Sequence, residues 1–372
     1  MTLACLVTPE PATLPVRFAC GRSVRVGRHH KRGIHHETPQ FPAGPRRAVR
    51  RPDFQRLAAG RTNASPAVTF HRRSSKCRRC VDTVFHACHH RTYEDAAVIG
   101  HPVEHSKSPR IHNVALAKLG LDYAYMVFDI DEGELPQLVA AFKTLKVRGW
   151  NLTTPDKHGI LKLVDKVSPV SELVEAANTV VNDDGVLTAY TTDGIGQVQS
   201  LHDAGIEVAG RTITQMGCGG AGSAIAAQFI EDGVKELNIY NRRDEFFEPA
   251  KALAERINAR GKGKVVVRDL ADVAAFRKSV KASSILINTT SVGFAQQEGH
   301  SALPDEAVLR PDLFISEIVY SPARTTFIEQ AEKAGCKSIN GIGMLVHQAA
   351  ASFKMWTGEN MPVADIKRLL FS

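Results

Sequence analysis

A run of small residues, Gly217-Cys218-Gly219-Gly220-Ala221-Gly222, follows the apolar stretch TITQM and opens the helix-like stretch 223–230. A glycine turn between strand and helix lets backbone approach a pyrophosphate, whose charge then meets unpaired amides and the positive end of the helix dipole. A GxGxxG match alone is weak evidence. Here it has a strand before it, a helix after it, and a polar cluster about 20 residues on, which is the context of a dinucleotide-binding crossover. That cluster, Asn241-Arg242-Arg243-Asp244, closes the next apolar run, ELNIY. An acidic side chain there accepts hydrogen bonds from the adenosine ribose and favours NAD, whereas arginine pairs with the 2′-phosphate of NADP. Both chemistries are present, so NAD or NADP is the expected cofactor, with Arg242 or Arg243 facing the phosphate and Asp244 the ribose. Gln215 is unexpected in a strand that should be wholly apolar.

From residue 96 onward, β-rich runs alternate with helical stretches. DAAVIG, YAYMVFDI and RGWNLT read as strands, and 108–119 and 133–145 as helices. Further short apolar strands fall at 212–216, 236–240, 264–267, 285–288 and 313–317. Such alternation predicts an α/β chain with parallel sheets and right-handed crossovers. Two blocks split near 205–210 give two domains, each an open, mainly parallel sheet flanked by helices, the second a Rossmann fold. The 372 residues exceed what one core usually organises, which agrees with that division.

The net charge of +8 is localised. Residues 1–92 hold 18 Lys and Arg against 4 Asp and Glu, while the remainder holds 29 against 35, a balance of −6. The acidic remainder argues against nucleic acid as its partner, since phosphate binding needs clustered positive charge. Residues 1–92 lack apolar periodicity and read as a disordered basic extension. Pro9, Pro11 and Pro15 interrupt the amphipathic helix a transit peptide needs, and the apolar run 3–7 is too short for a secretory signal. No apolar stretch approaches membrane-spanning length, so a soluble, cytoplasmic protein is expected. Cys77 and Cys80 have CxxC spacing, but without a second knuckle they read as free thiols rather than zinc ligands, and no metal is expected.

The first block carries polar clusters at presumed strand ends: His105-Ser106-Lys107-Ser108-Pro109, Asn151 to Lys157, Asn178-Thr179 and Thr192-Asp193-Gly194. Open α/β sheets bind ligands on that side, and short hydroxyl and amide side chains suit a small polyhydroxylated substrate. Individually, Ser108-Pro109 and Thr154-Pro155 also read as ordinary helix starts.

Taken in order, HSKSPRIHN, NLTTPDK, AANT, TTDGIG, GCGGAG, NRR, NTTSVG, IVYSP and GIGMLVHQAA resemble the shikimate dehydrogenase family, from about residue 96 to the C-terminus. NRRDEFF and VVNDDG most resemble its quinate/shikimate dehydrogenase branch. The resemblance implies reversible NAD(P)-dependent oxidation of shikimate, and of quinate, on the route to chorismate and the aromatic amino acids. It places the catalytic pair on Lys157 and Asp193. A lysine beside a carboxylate is chemically apt for moving a proton on or off the reacting oxygen.

By the same resemblance, Ser106, Ser108 and Tyr320 hold the substrate carboxylate, and Thr153, Asn178 and Gln348 meet the ring hydroxyls. Gly217, Gly219, Gly220, Ala221 and Gly222 belong to the pyrophosphate turn. Asn241, Arg242, Arg243 and Asp244 bind the adenosine end, Ser291 and Val319 line the cofactor path, and Gly343 lies against the nicotinamide. The implied division is 93–205 with the C-terminal helices 344–372 for substrate, and 206–343 for cofactor, in a monomer or homodimer. Thr191 stands where the family usually has Asn, and Phe294 where it usually has Met. A catalytically silent paralogue with a binding role is the alternative; it would have no need of both Lys157 and Asp193.

Overall fold

The alternating apolar segments build two six-stranded sheets in the computed structural model, which describes residues 94–371 except 105, 132 and 154. The readings made of residues 1–92, including the Cys77 and Cys80 pair, lie outside the described residues, as does His105. The first sheet contains β1 (Glu94–Gly100), β2 (Tyr123–Asp129), β3 (Gly149–Leu152), β4 (Lys166–Val167), β5 (Thr179–Asp183) and β6 (Val186–Tyr190), in the order β2-β1-β3-β5-β6-β4. β2, β1 and β3 run parallel, and β5 is antiparallel to both neighbours. Strand-helix alternation alone did not indicate the β5–β6 hairpin. Its signal is the Asp184-Gly185 turn, with φ of 50° and 94°, the left-handed pair that a two-residue hairpin loop requires. Asn182 Oδ1 accepts the Gly185 N–H at 2.8 Å and fixes the turn.

Helices α1 (Ser108–Leu119) and α2 (Leu135–Leu145) both start on a proline in the first turn, where its missing N–H costs nothing. α2 begins two residues later than the pattern predicted, because Gly133 has φ of 93° and cannot continue a helix backward. α3 (Pro169–Val174) and α4 (Asp193–Asp203) follow.

The second sheet contains β7 (Thr212–Met216), β8 (Glu236–Asn241), β9 (Lys264–Asp269), β10 (Ile285–Asn288), β11 (Phe314–Glu317) and β12 (Ser338–Ile339), all parallel, in the order β12-β11-β10-β7-β8-β9. This is the doubly wound order whose switch point, between β7 and β10, forms a ligand crevice at the strands' carboxyl ends. Helices α5 (Gly220–Glu231), α6 (Phe247–Ala259), α7 (Val273–Ala282) and α8 (Thr326–Lys333) provide its crossovers.

α9 (Ile342–Thr357) and α10 (Val363–Phe371) pack on the first sheet, where Val346, Phe353, Trp356 and Ile366 share a core with Val98 and Ile111. Trp356 Nε1 donates to the Val180 carbonyl at 3.0 Å. Among the described residues no helix is long and apolar enough to cross a membrane.

One apolar core joins the two sheets' helices. Leu173 and Leu201, from α3 and α4, are buried with Ile225 and Phe229 of α5. Each such side chain contributes about 1.5–3 kcal/mol on burial, so the junction is firmly packed. Gly194, in the first turn of α4, permits the close approach: a Cβ there would lie 2.5 Å from the Ala224 carbonyl oxygen. This contact brings Asp193 alongside the start of α5.

Candidate active site

The loop after β3 carries Lys157, and α4 begins at Asp193. Their Nζ and Oδ2 are 2.7 Å apart, with side chains 20% and 11% exposed. A carboxylate in a helix's first turn is also favoured by the helix dipole. Asn178 Nδ2 donates to the other Asp193 oxygen at 2.8 Å, while Asn178 Oδ1 accepts from the Thr192 N–H and from the Thr192 and Thr179 hydroxyls. The orientation of Asp193 therefore comes from Asn178 and Lys157. Thr191, the departure from the family pattern, is simply buried beside them.

Below this pair lies a buried polar network that the sequence reading did not assign. Asn151 Oδ1 accepts the Tyr125 hydroxyl at 2.7 Å, and its Nδ2 donates to the Asn178 carbonyl, Thr179 Oγ1 and Ser352 Oγ. Asn151 opens the NLTTPDK segment, so it was visible as a motif residue. Tyr125 and Ser352 come from distant segments and carry no local signal.

A cleft of about 250 Å³ is lined by Lys157, Asp193, Ser106, Ser108, Thr153, Asn178, Tyr320 and Gln348 together. Ser106 Oγ accepts the Ser108 N–H at 3.3 Å, which draws the two serines together at the start of α1. Burial pushes the Tyr320 hydroxyl above its usual pKa, and the Phe294 ring lies 5.7 Å from its ring, centroid to centroid. Lys107 adds a second cation to the cleft wall.

Ala221 brings the glycine turn into the same cleft. Gly217 has φ of 91°, and a Cβ there would meet the Thr290 methyl at 2.5 Å; at Gly222 it would meet Thr289 Oγ1 at 2.7 Å. Nothing lies within 4 Å of such an atom at Gly219 or Gly220. Gly219 caps α5 without a side-chain acceptor, and no acidic residue occupies the first turn. The turn thus has a packed floor and an open face with free amides, which fits a dinucleotide pyrophosphate. Gln215, anomalous in sequence, is explained: its Nε2 donates to the carbonyls of Gly217 and Gly222 at 2.9 and 3.0 Å, pinning both ends of the turn.

Asn241 is buried. Its Oδ1 accepts the Cys218 N–H at 3.1 Å and its Nδ2 donates to Asp244 Oδ1 at 3.1 Å, so it ties the glycine turn to the charged cluster. Exposed Arg242 lies 3.7 Å from Asp244, and Arg243 pairs with Asp269 at 2.5 Å while lying over the Phe247 ring. Ser291 is exposed on the loop after β10, and Val319 is buried beyond β11. Gly343 lies outside the cleft, packed against Ser200 of α4; Gly341 lines the cleft instead. Among the described residues, no group of three or more His, Cys, Asp or Glu converges as for a metal ion.

Fold and site together define a dinucleotide-binding oxidoreductase built on two sheets. The profile of the shikimate dehydrogenase substrate binding domain matches residues 98–180, and that of the shikimate 5′-dehydrogenase C-terminal domain matches 341–371. A shikimate dehydrogenase (NADP(+)) of Listeria monocytogenes is 45% identical over 274 residues, covering 74% of this chain and 94% of the relative. A quinate/shikimate dehydrogenase of Escherichia coli is 41% identical over 278 residues, covering 75% and 96%. The crystal structure of shikimate 5-dehydrogenase from Listeria monocytogenes, in complex with shikimate and NAD, superposes with a TM-score of 0.73 at 45% identity, covering 75% and 96%. The chain belongs to the shikimate dehydrogenase family.

Proposed function

We propose that the chain catalyses the reversible oxidation of shikimate to 3-dehydroshikimate with NAD or NADP, and takes quinate as a second substrate. The observation that carries this reading is the Lys157–Asp193 pair, held at 2.7 Å in one cleft with Ala221 of the glycine turn. A bound nicotinamide supplies the hydride acceptor. Lys157 and Asp193 meet the reacting hydroxyl and carry its proton as the carbonyl forms. Ser106, Ser108 and Tyr320 bind the substrate carboxylate, and Thr153, Asn178 and Gln348 orient the ring hydroxyls. Asn178 also holds Asp193, so it serves both substrate and catalyst.

In this reading, residues 93–205 with 344–372 form the substrate domain and 206–343 the cofactor domain. The enzyme works in the cytoplasm as a monomer or homodimer. A silent paralogue is disfavoured because Lys157 and Asp193 are both present and paired. Initial rates with shikimate or quinate, each with NAD or NADP, test the proposal. Absence of turnover with all four combinations would overturn it.

A further inference from the structure

The carboxyl ends of β10 and β11 place Asn288 directly opposite Glu317, and the Glu317 side chain is almost wholly buried, the residue being 1% exposed. Neutral donors from the end of β10 and from the loop 318–325 surround its carboxylate. Asn288 Nδ2 donates to Oε1 and Oε2 at 3.0 and 3.1 Å, the Val319 N–H to Oε1 at 3.0 Å, and the Thr325 hydroxyl to Oε2 at 3.1 Å. Desolvation outweighs these bonds and pushes Glu317 up to about 7. A carboxylate is costly at such a depth unless its bonds are needed. Interstrand pairing between β10 and β11 is made by backbone and does not require it.

Its bonds lead in two directions. Toward the glycine turn, Asn288 Oδ1 accepts the Thr290 N–H and hydroxyl at 3.0 and 2.7 Å, and the Thr290 methyl fills the space beneath Gly217. Toward the substrate, Val319 and Thr325 bracket Tyr320, which lines the cleft, and the Val319 carbonyl accepts the N–H of cleft-lining Gly341.

We infer that Glu317 is a positioning residue for the reaction: through Asn288, its carboxylate ties the loop 289–293, which seats the glycine turn, to the loop 318–325, which presents Tyr320. The inference rests on the proposed function for its catalytic consequence and on geometry alone for the lock. Only a carboxylate accepts on both oxygens from Asn288 and from the loop 318–325. In Glu317→Gln, an amide NH2 must face donors at one of them.

The test compares wild type, Glu317→Gln, Glu317→Asp, Tyr320→Phe and the Glu317→Gln/Tyr320→Phe double variant. Hydrogen exchange should be faster in 289–293 and 318–325 of Glu317→Gln, with 285–288 and 314–317 unchanged. With shikimate and NADP at pH 8, where Glu317 is ionised, kcat/KM should fall roughly 10- to 100-fold, the scale of one lost hydrogen bond to a charged group. The double variant should lose less than the product of the two single losses, since Glu317 acts partly through Tyr320. Wild-type exchange in the folded Gln variant, or losses that multiply independently, would overturn the inference. Should Glu317→Gln fail to fold, Glu317→Asp keeps the charge but withdraws it by one methylene. Wild-type exchange and turnover in that variant would refute the lock. Absence of turnover in the wild type would instead reject the proposed function, while the exchange comparison would still decide the lock.

Discussion

Replacing Asp193 by asparagine isolates the proton-transfer pair, because the change keeps shape and removes charge. Both carboxylate oxygens of Asp193 accept from donors, one from Lys157 Nζ at 2.7 Å and the other from Asn178 Nδ2 at 2.8 Å. An amide has a single oxygen, so whichever way it turns, its NH2 faces a donor. One charge-assisted bond is lost, worth about 1.5–3 kcal/mol, or roughly 10- to 100-fold in rate at ~1.4 kcal/mol per decade. Loss of acid-base help adds a typical factor of about 10²–10⁴. Asp193→Asn should therefore lower kcat by at least ~100-fold, and Lys157→Ala by a similar factor, with the Kd for cofactor nearly unchanged. Steady-state kinetics with shikimate and a fluorescence titration of NADPH measure the two quantities. If both variants kept near-normal kcat and lost only substrate affinity, the pair would be a binding feature and the proton route would lie elsewhere.

Cofactor choice should respond to the cluster after β8. Arg242→Ala should raise the KM for NADP by roughly 10- to 100-fold with little effect on NAD, and Asp244→Ala should do the reverse; equal losses for both cofactors would move the adenosine site away from these residues. Glu317 gives a pH test of stability. Its folded pKa of about 7 lies above its ordinary 4.5. The folded state therefore holds the proton more tightly, and stability falls as pH rises through that window, by about 3 kcal/mol for this group. From pH 5 to pH 8 the change in unfolding free energy measured in urea should be more positive in Glu317→Gln than in wild type, since the opposite trend from buried His112, held down to about 3, is common to both; equal changes would refute that pKa. Gln215→Leu removes the donors to the Gly217 and Gly222 carbonyls. The Gly217 carbonyl keeps the Thr289 hydroxyl at 2.8 Å, so the variant should weaken NADP binding about 10-fold and lower the thermal midpoint by a few degrees, at ~0.5–1.5 kcal/mol for each hydrogen bond lost; unchanged titration and melting curves would show that the turn holds its shape without it.

Much of the second sheet was legible in sequence, because a doubly wound sheet writes its plan locally. Each strand is a short apolar run, each crossover a periodic helix, and the glycine turn a contiguous string. The elements that escaped were those whose meaning depends on partners. β5 and β6 pair antiparallel, and their hairpin rests on two residues, Asp184 and Gly185, rather than on the period of the flanking strands. Gln215 was visible as an anomaly, yet its purpose appears only when the carbonyls of Gly217 and Gly222 come within reach of its amide.

Around the first sheet, the residue types at strand ends are readable in the sequence and the family resemblance pairs Lys157 with Asp193, but the contacts that bring these groups together are not. Lys157 and Asp193 stand 36 positions apart, and Thr179 and Ser352 stand 173 apart. Only the packing of α4 on α5 through Gly194, and of α9 on the first sheet, brings such groups within hydrogen-bond distance. Local sequence determines which elements form, since backbone conformation and apolar periodicity are short-range. Which polar ends meet, and which carboxylate is buried as Glu317 is, follows from long-range packing and the desolvation it imposes.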